Sequence, residues 1–390
     1  MEGLPACATK CLMQASSVSS CALTDMQCIC SDTQLQTVLQ GCILQSCSIR
    51  ETFTAKRLSD TMCGITPEGD TDTLVIVSTI FLVIAIICVL LRCAGRALGS
   101  NFGFDDLCIV LGLGVAIAIG VIVFPIRDLG LGKDIWMIPF DDINKILYLF
   151  NVLTTVYPPC ISLIKMSMLF LYLRLFPGNK IRIVTIVTLV LTTIWGIAYI
   201  FPNIFVCNPR GYAWTRWDDE HKGTCLSQTA IVVSHAIINI ILDVWIICLP
   251  LPTLLKLKLK MTKKIGVCIM FLIGLLVTIL SILRLSTTTG FLKSTNPTRD
   301  FVPVSIWSVL EIDLAIICAC FPGMRAFFKM IMPSSESSVT YGSYGPSGGS
   351  SVLKTPKSFN LSVSSSGRVR PSQKPRSDDS DFVHLTEMQG

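Results

Sequence analysis

The run LVIVSTIFLVIAIICVLL, from Leu74 to Leu91, decides the fold because it contains eighteen residues and no charged side chain. A helix of about 20 apolar residues crosses the ~30 Å core of a bilayer, whereas soluble proteins distribute such residues with helix or strand periodicity. Six similar runs follow it. We predict seven transmembrane helices with approximate limits Leu74–Leu91, Leu107–Ile126, Ile146–Leu173, Ile183–Val206, Leu226–Leu251, Ile265–Thr289 and Val302–Pro322.

The composition of the whole chain is also typical of a membrane protein. Of its 390 residues, 51% are hydrophobic and 15% are charged, against about 25% charged residues in soluble domains. The mean hydropathy is +0.64. We therefore expect a lipid bilayer as the main partner and no nucleic acid.

The placement of basic residues predicts the orientation in the membrane. Lysine and arginine accumulate on the cytoplasmic side, and here they lie in alternate connections, whereas the segment before the first run holds four basic and eight acidic residues. We predict a multi-pass plasma-membrane protein with an extracellular N-terminus and a cytoplasmic C-terminus. The basic residues concerned are Arg92, Arg96, Arg174, Lys180, Arg182, Lys256, Lys258, Lys260, Lys263, Lys264, Arg325 and Lys329.

Composition divides the chain into four segments. We predict an extracellular domain over residues 1–64, a linker over 65–73, a membrane domain over 74–332 and a disordered cytoplasmic tail over 333–390. The tail has 16 serines in 58 positions, which is typical of disorder. Phosphorylation near Ser377 would change binding to a protein or to anionic lipid, and the alternative is a spacer without a sequence-specific role.

The extracellular segment is dense in cysteine. An even number of cysteines in a small extracellular domain predicts disulfides, which supply stability that a small core lacks. Many pairings are open, and a metal site on the Cys-x-Cys pair is the alternative, although the segment has no histidine. The start of the chain shows no signal-peptide pattern. Either the first span carries the short N-terminus across the membrane, or the true start lies upstream. The eight cysteines are Cys7, Cys11, Cys21, Cys28, Cys30, Cys42, Cys47 and Cys63.

A further disulfide is predicted between Cys207 and Cys225, which bracket the outer connection between the fourth and fifth runs. Trp214 and Trp217 lie between these cysteines. We interpret the two tryptophans either as interfacial anchors or as part of a ligand lid.

The eight cysteine spacings, with the motifs PACA at 5–8 and DMQCIC at 25–30, resemble the fungal CFEM domain over residues 5–64. The resemblance implies a small helical fold held by four disulfides. In members that capture haem, an aspartate before the Cys-x-Cys pair ligates the iron, and Asp25 matches that position. Haem is therefore a candidate cofactor with Asp25 as its metal ligand, and the alternative is that Thr24-Asp25 caps a helix. An apolar platform for haem would come from Leu23, Met26 and Leu35.

A second set of motifs runs through the apolar region in order. It resembles the rhodopsin-like domain of fungal CFEM receptor-like proteins over roughly residues 75–330. The resemblance implies a seven-helix, G-protein-coupled-receptor-like sensor of extracellular or surface cues, tied in some members to host infection, with a heterotrimeric G protein as partner. One departure is GLGK at 130–133, where members often end in histidine. The motifs are Arg92, Arg96, Gly103, Asp105 and Asp106, KMS at 165–167, YLRLF at 172–176, DVW at 243–245, LPLP at 249–252, Trp307, Glu311 and CACFP at 318–322.

Charged residues inside the runs are candidate switch residues, because a charge at mid-depth costs ~2.5–3.5 kcal/mol on insertion scales. From their similar depths we predict the pairs Lys165–Asp243 and Arg284–Glu311. The alternative is that Lys165 snorkels and Glu311 bonds only a neighbouring helix. Arg174 is interpreted as standing alone at the inner end of the third run, where rhodopsin-class receptors place a switch arginine.

Two acids begin the second run. We interpret Asp105 and Asp106 as favoured by the helix macrodipole. Retinal is not expected, because its Schiff base needs a lysine and Val302–Pro322 contains none. No nucleophile-base set, metal cluster or phosphate loop is visible, so no enzyme is predicted. The rival function is haem or iron capture or transport through the CFEM domain, and the sequence names no ligand.

Overall fold

The computed structural model describes residues 3–17, 21, 25–65, 69, 71–99, 102–176, 178–252 and 261–331. The side chains of residues 26, 99, 261–268, 270 and 325–331 lie outside this description, as does the whole predicted tail.

Four helices form the head domain, which is the described part of residues 3–65. Side chains at their N-termini explain where three of them begin. Asp25 accepts the N–H of Cys28, Asp32 accepts the N–H of Leu35, and Ser48 forms a capping box with the third residue of the last helix. Each such cap contributes ~1 kcal/mol. The helices are α1 Ala6–Ala15, α2 Met26–Ser31, α3 Thr33–Ser46 and α4 Ile49–Met62.

Four disulfides tie these short helices together, as the resemblance implied. Two of them join α1 to α3 and its C-terminal cap, and one joins α2 to the end of α4. Each bridge typically contributes ~2–4 kcal/mol by restricting the unfolded chain. Because Cys28 and Cys30 bond different partners, the alternative of a metal site on this pair is wrong. The pairs are Cys7–Cys47, Cys11–Cys42, Cys21–Cys28 and Cys30–Cys63.

Seven helices in the described residues are long and apolar enough to cross a membrane, which confirms the predicted fold class. Most exceed the predicted runs, because polar turns at each end continue the helix into the interface. The fifth is shorter and ends at Cys248, because Pro250 has no N–H to continue the helical hydrogen-bond ladder. The spanning helices are α5 Thr71–Gly99, α6 Phe104–Asp128, α7 Phe140–Leu175, α8 Asn179–Ala198 continued by α9 Ile200–Ile204, α11 Gln228–Cys248, α12 Met261–Phe291 and α13 Pro297–Ile331.

Helix α5 begins inside the predicted linker over 65–73. Thr71 is buried, and its hydroxyl donates to the Leu131 carbonyl at 2.8 Å. Asp72 forms an ion pair of 2.5 Å with Arg127 at the end of α6. These contacts extend the first span by a helical turn beyond its apolar run.

The connection between α9 and α11 carries the small elements of the fold. Strands β1 Cys207–Asn208 and β2 Thr224–Cys225 pair in antiparallel register, with Cys207 opposite Cys225. These two cysteines form a disulfide. Helix α10 Tyr212–Thr215 and a 3₁₀ turn at Arg216–Asp218 lie between the strands, and a second 3₁₀ turn, Ile135–Met137, lies between α6 and α7.

Helix α13 lies at the centre of the bundle, where it packs against α5, α6, α7 and α12. Ile109, Ile164 and Ile316 are among the core side chains there with at most 1% exposure. Large apolar residues such as Ile80 and Leu191 are more than half exposed on the outer faces of the helices. An outer surface of this kind is stable in lipid, where apolar side chains meet no water.

Candidate functional site

The bundle has two ends. One contacts the head domain, and we call it the head end. The opposite end, where α13 finishes at Ile331, is the tail end. The polar side chains that bear on function lie at the head end, in the bundle interior and at the tail end.

Helix α4 docks the head domain onto the connection between α6 and α7. Arg57 donates to the carbonyl oxygens of Trp136 and Ile138, at 2.7 and 2.5 Å. The Trp136 indole N–H donates in return to Asp60 at 2.8 Å. Lys56 completes the contact by pairing with Asp60 at 2.9 Å. Charged donors on fixed backbone carbonyls give this interface a defined orientation.

The same helix also contacts the connection between α9 and α11. Arg50 pairs with the fully buried carboxylate of Asp218 at 2.8 Å, and Phe53 stacks on Trp217 with ring centroids 5.8 Å apart. Burial alone would raise the pKa of Asp218, but the hydrogen bonds from Arg50 and His221 outweigh it and hold this pKa below its ordinary value. Docking therefore depends on an ionised Asp218.

The two tryptophans of this connection pack against α7. Trp217 donates its indole N–H to Asn144 at 2.7 Å, and Trp214 meets the ring of Tyr148 edge to face at 5.1 Å. Since Trp217 also contacts Phe53 of the head domain, it joins that domain to a spanning helix.

A buried ion pair joins α7 to α11 inside the bundle. The structure places the Lys165 ammonium in contact with the Asp243 carboxylate, and Lys165 also donates to the Asn239 carbonyl at 3.3 Å. The Lys165 side chain is 5% exposed and that of Asp243 is 13% exposed. The lysine therefore does not snorkel, because it finds its partner within the bundle.

The second predicted pair joins α12 to α13. Arg284 lies 2.8 Å from Glu311, whose side chain is 1% exposed. Glu311 also accepts from Tyr157, Asn239 and Ser281, at 2.7, 2.6 and 2.6 Å. Three hydrogen-bond donors and the Arg284 guanidinium thus surround a carboxylate that would otherwise be very costly to bury.

One serine links the two pairs, since Ser281 Oγ is 3.1 Å from Asp243 as well as 2.6 Å from Glu311. The resulting interior network holds two cations and two anions and draws on α7, α11, α12 and α13. Sequence reasoning missed its uncharged members. A signal was present, because each charge in an apolar run requires nearby donors or acceptors. The interior network comprises Tyr157, Lys165, Asn239, Asp243, Ser281, Arg284 and Glu311.

Asp313, two residues after Glu311, is a further buried acid that was not predicted. It is 1% exposed and, together with Ser78, lines a small cavity between α5, α6 and α13. An acid in an apolar run was itself a signal of a functional or structural role.

A larger cavity of about 110 Å³ adjoins the interior network towards the head end. Tyr157, His235 and Arg284 line it, and most of its remaining wall is apolar. His235 stacks on Trp195 with centroids 4.6 Å apart. No lysine is among the described residues of its wall. Helix α13 extends past the predicted run and includes Lys329 at the tail end. The expected lack of retinal stays a prediction.

The tail end holds a buried charge cluster on α5, α6 and α7. Arg92 is fully buried, pairs with Asp105 at 2.6 Å and Asp106 at 2.8 Å, and donates to the Ala319 carbonyl of α13 at 2.5 Å. Helix α13 comes so close that a Cβ on Gly323 would lie 2.9 Å from Arg92 Cγ. The tail-end cluster comprises Arg92, Arg96, Asp105, Asp106 and Arg174.

Two sequence interpretations are corrected by this cluster. Arg174 does not stand alone, because its Nη1 lies 3.8 Å from Asp105. Asp105 and Asp106 are more than acids favoured by a macrodipole, since both also pair with Arg96, at 3.0 and 3.4 Å. The corrections have one physical cause: residues far apart in sequence neutralise each other in the interior.

Asp25 acts as a helix cap in the head domain, where its carboxylate accepts the Cys28 N–H at 3.1 Å. Of the three residues considered for an apolar haem platform, the structure describes only the side chain of Leu35. That side chain is 3% exposed and belongs to the interior of the head domain. Haem binding at Asp25 stays a prediction.

The disulfide framework and the seven spans have counterparts among known proteins. Residues 1–64 match the CFEM domain, and residues 91–330 match the fungal rhodopsin domain. The chain belongs to the fungal rhodopsin-domain family. Both resemblances seen in the sequence are confirmed, and no solved structure matches the chain.

Curated relatives of this fungal rhodopsin-domain protein come from several fungi. Receptor GIN3 of Arthrobotrys oligospora is 27% identical over 282 residues, which cover 69% of this chain and 67% of that protein. The SAT4 family membrane protein of Emericella nidulans is 28% identical over 192 residues, 48% of this chain and 47% of its own. Satratoxin biosynthesis SC1 cluster protein 4 of Stachybotrys chartarum is 30% identical over 189 residues, which cover 48% of this chain and 67% of that protein. The chain thus spans about half the length of the Emericella relative.

Removing the cation that docks the head domain should loosen helix α4. Arg50→Met leaves the buried Asp218 carboxylate without its cation, which we expect to cost about 1–3 kcal/mol of docking free energy. Hydrogen exchange of the full-length protein in lipid nanodiscs would then show faster exchange in α4. Lys10→Met, at an exposed lysine of α1, is the control. Unchanged exchange in Arg50→Met would contradict the docking role.

The same contact should depend on pH in a defined direction. Because the folded pKa of Asp218 is depressed, its contribution is fully present above the unfolded value of about 3.9. It is lost as pH falls through the lower folded pKa, while Arg50 stays charged. The protection of α4 amides, relative to their intrinsic exchange rate at each pH, should therefore be constant from neutral pH to about pH 4 and fall only below it. A loss of protection already between pH 7 and 5 would point to another group.

Exchanging both charges of the Lys165–Asp243 pair should restore what a single charge reversal destroys. Lys165→Asp or Asp243→Lys alone places two like charges in the bundle, and breaking a buried pair typically costs about 3–5 kcal/mol. We expect each single variant to lose surface expression and the double variant to regain it. Lys145→Glu, at an exposed position of α7, should express normally. A double variant as poor as the singles would refute the pairing.

A cap and a haem ligand respond differently to two substitutions of Asp25. Asn caps helices about as well as Asp, whereas Ala loses about 1 kcal/mol. We expect Asp25→Ala to lower the unfolding temperature of the full-length protein, Asp25→Asn to leave it unchanged, and hemin spectra to be alike in all three proteins. A Soret shift present in the parent and absent from Asp25→Asn would identify a haem ligand instead.

Proposed function

We propose that the chain is a plasma-membrane sensor of extracellular or surface cues that signals to a heterotrimeric G protein. Its head domain would face outwards and its tail end the cytoplasm, in line with the basic residues of alternate connections. The observation that carries the proposal is the docking of α4 onto both connections at the head end. A head domain held in this way transmits a displacement to the helices that those connections join.

The contacts of α4 lead directly to the interior network. Trp217, stacked on Phe53 of α4, is hydrogen-bonded to Asn144 of α7, and the disulfide-closed connection that contains it runs into α11. Helices α7 and α11 carry Lys165 and Asp243. A cue that moves the head domain would therefore act on the helix pair joined by this buried ion pair.

Helix α7 also reaches the tail-end cluster. It begins at Phe140, beside the head domain, and its last turn holds Arg174, whose side chain is 38% exposed and 3.8 Å from Asp105. Packed interiors switch between discrete arrangements rather than deform continuously. A shift of α7 would separate Arg174 from Asp105 and present its charge to a cytoplasmic partner.

The relatives support a role without catalysis. One is named a receptor, and another a membrane protein. The name of the Stachybotrys relative refers to a biosynthetic cluster and states no reaction. We find no observation in the described residues that favours haem capture or transport over sensing.

Coupling to a G protein can be tested without knowing the cue. In fungal cells, split luciferase on the full-length chain and on a Gα subunit would report their proximity. Undocking the head domain by Arg50→Met should change this signal by several-fold relative to Lys10→Met, since about 1.4 kcal/mol shifts an equilibrium tenfold. Adding Arg174→Ala should abolish the change, whereas Arg182→Ala, at an exposed arginine of α8, should not.

Two results would overturn the proposal. One is a parent signal no higher than that of an unrelated membrane protein expressed at the same level. The other is an Arg50→Met signal equal to that of Lys10→Met while hydrogen exchange shows that α4 has loosened.

A further inference from the structure

The cavity beside the interior network lies among α6, α7, α11, α12 and α13. It extends towards the head-end elements, since Gln228 at the start of α11 and Leu292 beyond α12 belong to its wall. Its wall is mainly apolar, and it is separate from the head-domain contacts described above. The apolar lining includes Ile119, Val123, Leu153, Ile231, Val304 and Val309.

Two buried polar atoms on this wall have no protein partner. Arg284 is 5% exposed and His235 is 4% exposed, and both line the cavity. Neither Arg284 Nη2 nor His235 Nε2 has a hydrogen-bond partner among the described residues, and Arg284 Nε has only its ion-pair contact with Glu311. Buried polar atoms in native proteins are nearly always paired. The two atoms therefore point to a molecule that enters the cavity and offers them a partner.

We propose that this cavity binds an uncharged, mainly apolar small molecule with one ketone or hydroxyl oxygen that accepts a hydrogen bond from Arg284. The proposal goes beyond the sensing of a cue by the head domain, because it assigns a second ligand site inside the bundle. His235 supplies a further polar contact, and the apolar wall covers the rest of the molecule.

Charge balance selects an uncharged ligand. Lys165 and Arg284 are already offset by Asp243 and Glu311, and Glu311 also accepts three hydrogen bonds. A carboxylate would add a buried negative charge without a free cation, and an amine would face the Arg284 guanidinium. Either ion would be costly to bury. A neutral acceptor satisfies Nη2 without disturbing this balance.

The size of the ligand follows from the cavity volume. A water-sized group needs ~10–15 Å³ of such volume. A cavity of about 110 Å³ thus takes a molecule of roughly ten non-hydrogen atoms. The guanidinium of Arg284 is held in place, with its central carbon 4.6 Å from the centre of the Tyr157 ring. A donor fixed in this way loses little freedom when a ligand binds.

Three probes of similar length separate the possibilities: nonane, octan-2-one and octanoate. Each is added to the purified full-length protein in nanodiscs, and the unfolding temperature is measured. A ligand that binds only the folded state raises that temperature as its concentration passes Kd. We expect a saturable rise of a few degrees with octan-2-one and clearly smaller rises with nonane and octanoate.

Variants show whether the effect arises in the cavity. Ser308→Leu fills it from α13 without touching the interior network and should abolish the rise, and Ser305→Leu repeats the test should the first variant not fold. Leu283→Phe, at an exposed position of α12, controls for partitioning into lipid. His235→Phe keeps a ring against Trp195 but removes both nitrogens. It should lower the affinity for octan-2-one by about five- to tenfold while leaving the affinity for nonane unchanged.

Three results would overturn the proposal: equal effects of nonane and octan-2-one, a stronger effect of octanoate, or a rise that persists in both serine variants. No rise with any probe would likewise refute it. The binding measurement involves no G protein. Failure here therefore leaves the coupling experiment intact, and failure of coupling leaves this binding result intact.

Discussion

Compensation of charge in a medium without water governs this structure. The bundle buries cations and anions at two depths, and an isolated ion there would cost far more than any single packing contact contributes. Each buried cation therefore lies against carboxylates from another helix: Arg92 against Asp105 and Asp106, Lys165 against Asp243, and Arg284 against Glu311. These pairs set the rotation of the helices about their axes, because each charged side chain must face its partner.

The need to compensate buried charges also connects the two ends of the bundle. Helix α7 contacts the loops that hold the head domain, carries Lys165 in its middle and ends at Arg174 beside the tail-end cluster. A helix with polar partners at three depths cannot move at one end without changing contacts at the others. Outside the membrane, the disulfide-closed head domain uses a similar arrangement, in which Arg50 offsets the buried Asp218.

Much of the fold was accessible from local sequence. The spans, the alternation of basic connections and the cysteine-rich head are set by composition over windows of a helix length, and depth counting along each run was enough to propose two ion pairs. Contacts between residues of separate runs were less accessible. Arg174 was interpreted as alone although Asp105 lies nearby, and the donors Tyr157, Asn239 and Ser281 were overlooked because uncharged polar residues do not stand out in a hydropathy profile.

The sequence by itself determined a seven-helix membrane protein of the fungal rhodopsin-domain family with a CFEM head, because hydrophobic length and cysteine spacing are properties of contiguous segments. Only the tertiary structure decided which cysteines pair, how α4 sits on the loops, which donors surround Glu311 and where Arg284 and His235 meet an apolar cavity. The physical reason is that each of these depends on which side chains from distant segments share a low-dielectric space, and that is set by helix rotation and packing rather than by any single run.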